Sequence, residues 1–120
     1  MTNSIYISTV EPRSGKSLIA LGIIELILRK TTKVGFFRPI IHDSIDNKPD
    51  KHIDLILSYF KLPQTYNDSF GLHYSEVNHL MEKEKLDEIL DQIIRKYKKL
   101  EEDCDFIVCE NSDYVGENAA

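Results

Sequence analysis

The stretch whose reading decides the fold is Ser8 to Gly22, STVEPRSGKSLIALG. It closes with Gly15, Lys16 and Ser17 set directly ahead of a long apolar run. In a phosphate-binding loop, backbone N–H groups converge on phosphate oxygens, a lysine adds a point charge, and a Ser or Thr hydroxyl reaches Mg²⁺. The helix side of the stretch matches that pattern, with Ser14 inside the loop. The strand side departs from it. The glycine wanted five positions before Gly15 is Val10, Pro12 removes one N–H, and Glu11 turns a negative charge towards an anion, which Arg13 offsets.

Upstream, SIYIST (Ser4 to Thr9) is a short β-branched and aromatic run with no hairpin turn after it. Downstream, a helix is predicted from Gly15 to about Lys30. Its leucines and isoleucines go nearly all the way round, so it should be largely buried. Val34, Phe36 and Phe37 then read as a second buried strand, which Pro39 should stop near Arg38. HDSIDNKPDK (His42 to Lys51) is a polar loop. Ile53, Ile56, Leu57 and Phe60 follow at helical spacing, with Asp50 placed to cap that helix.

KLPQTYNDSFGLHYS (Lys61 to Ser75) reads as a connecting segment holding at most one short extended piece. Leu86, Ile89, Leu90, Ile93, Ile94, Tyr97 and Leu100 then mark an amphipathic helix with one buried stripe. The charges on its other face, including Asp91 four residues before Arg95, are a solvated surface worth a few tenths of a kcal/mol per pair. Phe106 to Cys109 is a continuous apolar strand that ends on the acidic Glu110. Strands alternating with helices predict an α/β fold, a P-loop NTPase-like parallel sheet with flanking helices joined by right-handed crossovers. About three strands are legible, and the pattern breaks off at VGENAA. Residues 1–120 therefore read as the N-terminal, truncated part of one domain, with a bare sheet edge and marginal stability alone.

Composition narrows the function. The net charge of -5 and the lack of a Lys/Arg block argue against a nucleic-acid or anionic-membrane surface. No apolar run is long enough to span a bilayer and no signal peptide opens the chain, so a cytoplasmic protein is expected. Cys104 and Cys109 lie five residues apart in what reads as a strand. They should point to opposite faces as buried reduced thiols. His42, His52, His73 and His79 have no metal-ligand spacing and read as surface or loop residues.

TVEPRSGKS resembles the modified loop of the dethiobiotin-synthetase-like P-loop proteins, in which an extra loop residue makes Thr9 the counterpart of the first glycine. It is more similar to one branch, the N-terminal domain of the long bacterial phosphate acetyltransferases. The resemblance is carried by Thr9 to Ser17, Leu18 to Gly22, Arg29 to Ile40, and DFIVCENSDYVG from Asp105 to Gly116. It implies a regulatory and assembly domain in front of an acetyltransferase catalytic domain lying outside these residues. The enzyme class interconverts acetyl-CoA and phosphate with acetyl phosphate and CoA, so acetyl-CoA would bind only in that other domain.

The resemblance further implies that Lys16 contacts phosphates, with Arg13, Ser14, Gly15 and Arg38 around the same ligand. Mg²⁺ would lie on Ser17, Glu110 and Asp54, with Asp50 the lesser substitute for Asp54. ATP and Mg²⁺ binding would be weak or vestigial. The expected partners are a small-molecule effector or nucleotide, the catalytic domain of the same chain, and further copies in a homo-oligomer. The alternative is a self-contained ATP-dependent ligase of the dethiobiotin synthetase type. Val10, Pro12 and Arg38 count against it, because working synthetases carry a lysine near substrate where Arg38 stands. The partitioning ATPases need a lysine where Glu11 is, and rank lower still.

Overall fold

The computed structural model describes residues 3–7, 16–43 and 49–110. Along the chain run β1 (Asn3–Ile7), α1 (Lys16–Leu28), β2 (Val34–Ile41), α2 (Lys51–Phe60), a 3₁₀ turn (Asn67–Ser69), β3 (Phe70–His73), α3 (Tyr74–Glu82), α4 (Leu86–Glu101) and β4 (Phe106–Glu110). The strands form a sheet in the order β1-β4-β2-β3, and each neighbouring pair is parallel. The α/β class and the parallel sheet are as the alternation of signals predicts. The strand count is not.

A fourth strand, FGLH, comes out of the segment read as a connection. Phe70 and Leu72 are buried while Gly71 and His73 between and after them are half-buried, an alternation too short to stand out among Pro63, Asn67, Asp68 and Gly71. Its docking also corrects the end of β2. The strand does not stop at Arg38 but continues through Pro39 to Ile41. Among the described residues, pairing of β2 with β4 ends at Phe37↔Cys109, and from Arg38↔Phe70 onward β2 pairs with β3. The missing N–H of Pro39 therefore falls where, among the described residues, one side of β2 has no ladder to interrupt.

Before β3 begins, a side chain stands in for a strand. Gln64 Oε1 accepts from Phe36 N at 2.8 Å, and its Nε2 donates to Phe36 O at 2.7 Å and to Ser69 Oγ at 2.6 Å. The peptide groups of Phe36 are satisfied in this way at a position the backbone of β3 does not reach.

One face of the sheet, with Val34, Phe36 and Val108, packs against Ala20 and Ile24 of α1 and Ile53 and Ile56 of α2. The other, with Phe37, Ile107 and Cys109, packs against Leu100, Ile93 and Tyr97 of α4. Neither long helix is buried as its sequence suggests. On α1, among the residues whose burial is described, Ala20 and Ile24 are buried, while Ile19 and Leu26 are exposed. On α4 the inner line of Ile89 and Leu100 is buried, but Leu86, Leu90 and Ile94 face out. Periodicity identifies an apolar face, and only the neighbouring layer determines how much of it is covered.

The two thiols are free, as expected, but not on opposite faces. Cys104 lies in the turn ahead of β4 and packs on the same cluster as Cys109, because strand alternation begins only at Phe106. Burial pushes the Cys109 thiol up to about 11 and raises that of Cys104 as well, the latter helped by Asp103 and Asp105.

Candidate anion and cation site at the carboxyl edge of the sheet

Parallel strands carry their ligand sites at their carboxyl ends, and here those ends gather a buried charge cluster. β4 ends on Glu110, in register with Ile7 at the end of β1, from which the chain leads towards α1. Arg38 follows Phe37, whose partner is Cys109, so Arg38 and Glu110 stand level on adjacent strands. Glu110 is 0% exposed and the Arg38 side chain 5%. Arg38 Nε lies 3.4 Å from Glu110 Oε1, and Arg38 Nη1 donates to Asp50 Oδ2 at 2.7 Å.

Asp50 has three tasks at once. Its Oδ1 caps α2 by accepting from Ile53 N at 3.0 Å, its Oδ2 holds Arg38, and its own N–H donates to Tyr66 Oη at 2.6 Å. The capping role is the one its place ahead of the helix predicts. Burial raises the Tyr66 phenol pKa, and the negative charges of Asp50 and Asp54 add to the shift against the Asp50 N–H and Arg38. His52, in the first turn of α2, completes the group with Nδ1 2.7 Å from Glu110 Oε1.

Glu110 thus has one oxygen engaged by Arg38 and His52. Its Oε2 is buried and has no hydrogen-bond partner among the described residues. A buried carboxylate oxygen with no partner among the described residues, level with the end of β1, fits a Mg²⁺ ion, which takes one or two protein carboxylates and completes its shell with water and phosphate oxygens. The Asp54 side chain is exposed on α2, one turn after Asp50. The described residues contain no cluster of three or more His, Cys, Asp or Glu that could hold a metal.

Of the remaining expected site residues, Lys16 and Ser17 open α1, which puts their backbone at the helix N-terminus as a phosphate loop requires. Arg13, Ser14 and Gly15 lie outside the described residues, as do Val10, Glu11 and Pro12. Sequence reasoning missed His52, treated as a surface histidine, and Tyr66, given no role. The available signal was position: both Asp50 and His52 fall where a helix begins after a strand's carboxyl end. The cavity of about 350 Å³ between Lys33, Gln64, Lys99 and Cys104 lies at the opposite, amino end of β2 and takes no part in this cluster.

A family model described as AAA domain matches residues 3–120. The chain belongs to that family, the dethiobiotin-synthetase-like branch of P-loop proteins. It is 52% identical over all 120 residues to a phosphate acetyltransferase of Synechocystis sp.. It is 41% identical over the same length to a phosphate acetyltransferase of Nitratidesulfovibrio vulgaris. It spans only 17% of the length of each relative and matches their N-terminal part. No helix among the described residues is long and apolar enough to cross a membrane.

Proposed function

We propose that these residues form the N-terminal regulatory and assembly part of a cytoplasmic phosphate acetyltransferase, whose catalytic domain follows and carries acetyl transfer between CoA and phosphate. The observation that carries the reading is the 52% identity along the whole chain to a protein six times its length in which it occupies the N-terminal part. The acetyl-CoA site belongs to that other domain. Copies of the chain assemble as a homo-oligomer, and a nucleotide or other small effector binds at the carboxyl edge of the sheet.

At that edge, the α1 N-terminus with Lys16 would take phosphate oxygens, and Ser17 and Glu110 would hold Mg²⁺. When bound, the cation would supply charge neutralisation for the phosphates. Arg38 has a different task from the substrate-side lysine of a ligase. Its guanidinium is held between Asp50 and Glu110, which fixes it in place and neutralises it. That engagement supports a binding site in preference to a phosphoryl-transfer centre and counts against the dethiobiotin synthetase alternative.

The test compares the full-length protein with one lacking residues 1–120, each assayed for acetyl phosphate formation from acetyl-CoA and phosphate. Retained acetyl transfer with altered assembly or effector response is expected. ATP-dependent ligation with no acetyl transfer by the full-length protein would overturn the reading.

A further inference from the structure

At the other end of β2 from the charge cluster, a cleft of about 350 Å³ separates the end of α4 from the connection between α2 and β3. Every residue that lines it is among those described. One wall carries Leu100, Asp103 and Cys104, and Lys33 O ties it to β2 by accepting from Asp105 N at 2.7 Å and from Phe106 N at 3.2 Å. The other wall carries Pro63, Gln64 and Thr65, and the Gln64 amide ties it to the same strand through Phe36 N and Phe36 O. Gly35 lies between the two anchors. A Cβ there would stand 2.7 Å from Cys104 Sγ and 3.3 Å from both Gln64 Oε1 and Leu100 Cγ, so the walls converge on bare backbone. Each wall is held by its own hydrogen bonds, and closing the gap would break them. Interiors are close-packed, so a gap kept open in this way suits a molecule from solution, and its volume is that of a small-ligand site.

The lining divides by chemistry. Val34 and Leu100 are buried and Cys104 is half-buried, which gives the cleft an apolar base. Four charged groups stand around it, those of Lys33, Asp68, Lys99 and Asp103. Lys99 Nζ lies 3.1 Å from Asp68 Oδ1, so these two neutralise each other across the cleft. Lys33 and Asp103 are left, and among the described residues neither charged group takes a hydrogen bond or an ion pair. A ligand with one negative charge would satisfy Lys33 but set that charge against Asp103, and a cation would do the reverse. A zwitterion satisfies both through charge-assisted hydrogen bonds.

We propose that this cleft is a second small-molecule site, which binds a free α-amino acid with an apolar side chain. Its carboxylate would meet Lys33, its ammonium Asp103, and its side chain Val34, Leu100 and Cys104. Bound there, it would bridge the end of α4 and the α2–β3 connection and stabilise the pair. The site is separate from the carboxyl edge of the sheet and does not rest on the reading of that edge.

The experiment uses the full-length protein. L-Leucine and L-methionine are titrated by calorimetry, with isoamylamine as the leucine analogue that lacks the carboxylate and isocaproate as the one that lacks the ammonium. Saturable binding of an amino acid is expected, with both analogues weaker by about 10-fold or more. Lys33→Ala and Asp103→Asn, both exposed, should each weaken it by a similar factor. In the wild type, iodoacetamide alkylation of Cys104, read on its own peptide by mass spectrometry, should slow when the amino acid is saturating. That readout places the ligand and does not depend on the variants folding. Binding of neither amino acid, analogues that bind as tightly, affinity unchanged in both variants, or unaltered alkylation of Cys104 at saturation would each overturn the proposal.

Discussion

His52 Nδ1 and Arg38 Nε converge on the same oxygen of Glu110, at 2.7 Å and 3.4 Å, so a half-exposed imidazole and a buried guanidinium share one buried carboxylate. Glu110 is the hub. Glu110→Gln should remove a buried counter-charge of Arg38 and destabilise the fold by about 2–4 kcal/mol, whereas His52→Ala, which removes a partly solvated partner, should cost about 1 kcal/mol. Urea denaturation of the two variants checks the order. Equal losses would mean that the Arg38 pair contributes nothing beyond an ordinary hydrogen bond.

Gly71 is required by the backbone that passes it. A Cβ at this position would collide with the carbonyl oxygen of Pro39 on β2, which cannot rotate away as a side-chain atom could. Gly71→Ala should therefore cost about 2–4 kcal/mol and detach β3 first. Hydrogen exchange at Leu72 and His73 gives the readout. Gly22→Ala, which meets nothing within 4 Å, is the matched control and should be neutral or stabilising.

Cys109 predicts a pH dependence of known sign. Its folded thiol is pushed up to about 11, while an unfolded cysteine ionises near 8.5. Between those values the unfolded chain has lost the proton and the folded one has kept it. The stabilisation is complete below the lower value and is lost as pH rises towards the upper one, by about 3 kcal/mol in all. Wild type and Cys109→Ala measured from pH 8 to 11 should show the wild type falling more steeply. Parallel curves would show that Cys109 is reached by solvent.

Nucleotide chemistry at the loop should be slight. In the full-length protein ATP turnover should fall well below the roughly 1 per second of an ordinary phosphoryl-transfer enzyme. Any nucleotide binding should be weakened by Lys16→Ala with acetyl transfer left in place. A turnover near that of a kinase that disappears in Lys16→Ala would mark the site as catalytic.

The elements that were legible are those set by near neighbours. The α2 cap at Asp50 and the apolar faces of α2 and α4 follow from spacings of three and four residues, and β4 from an uninterrupted apolar run. β3 was not legible, since four residues among turn formers become a strand only when the open side of β2 accepts them. The acidic end of β4 could be singled out, but its partners could not. Asp54 has the residue type and the place in sequence for a metal ligand, yet one helical turn earlier it is Asp50 that reaches Arg38.

The sequence by itself determined the class of fold, the order of strand, loop and helix around Gly15, Lys16 and Ser17, and the resemblance to the front of an acetyltransferase. Each rests on residues adjacent in the chain or one turn apart, where covalent geometry already fixes the relation. Only the tertiary structure decided that Arg38, Asp50, His52 and Glu110 form one cluster and that Leu90 and Ile94 of α4 stay exposed. Those facts depend on strand order and register, which bring together residues as far apart as Arg38 and Glu110. A buried charge must find its counter-charge wherever the folded sheet places one.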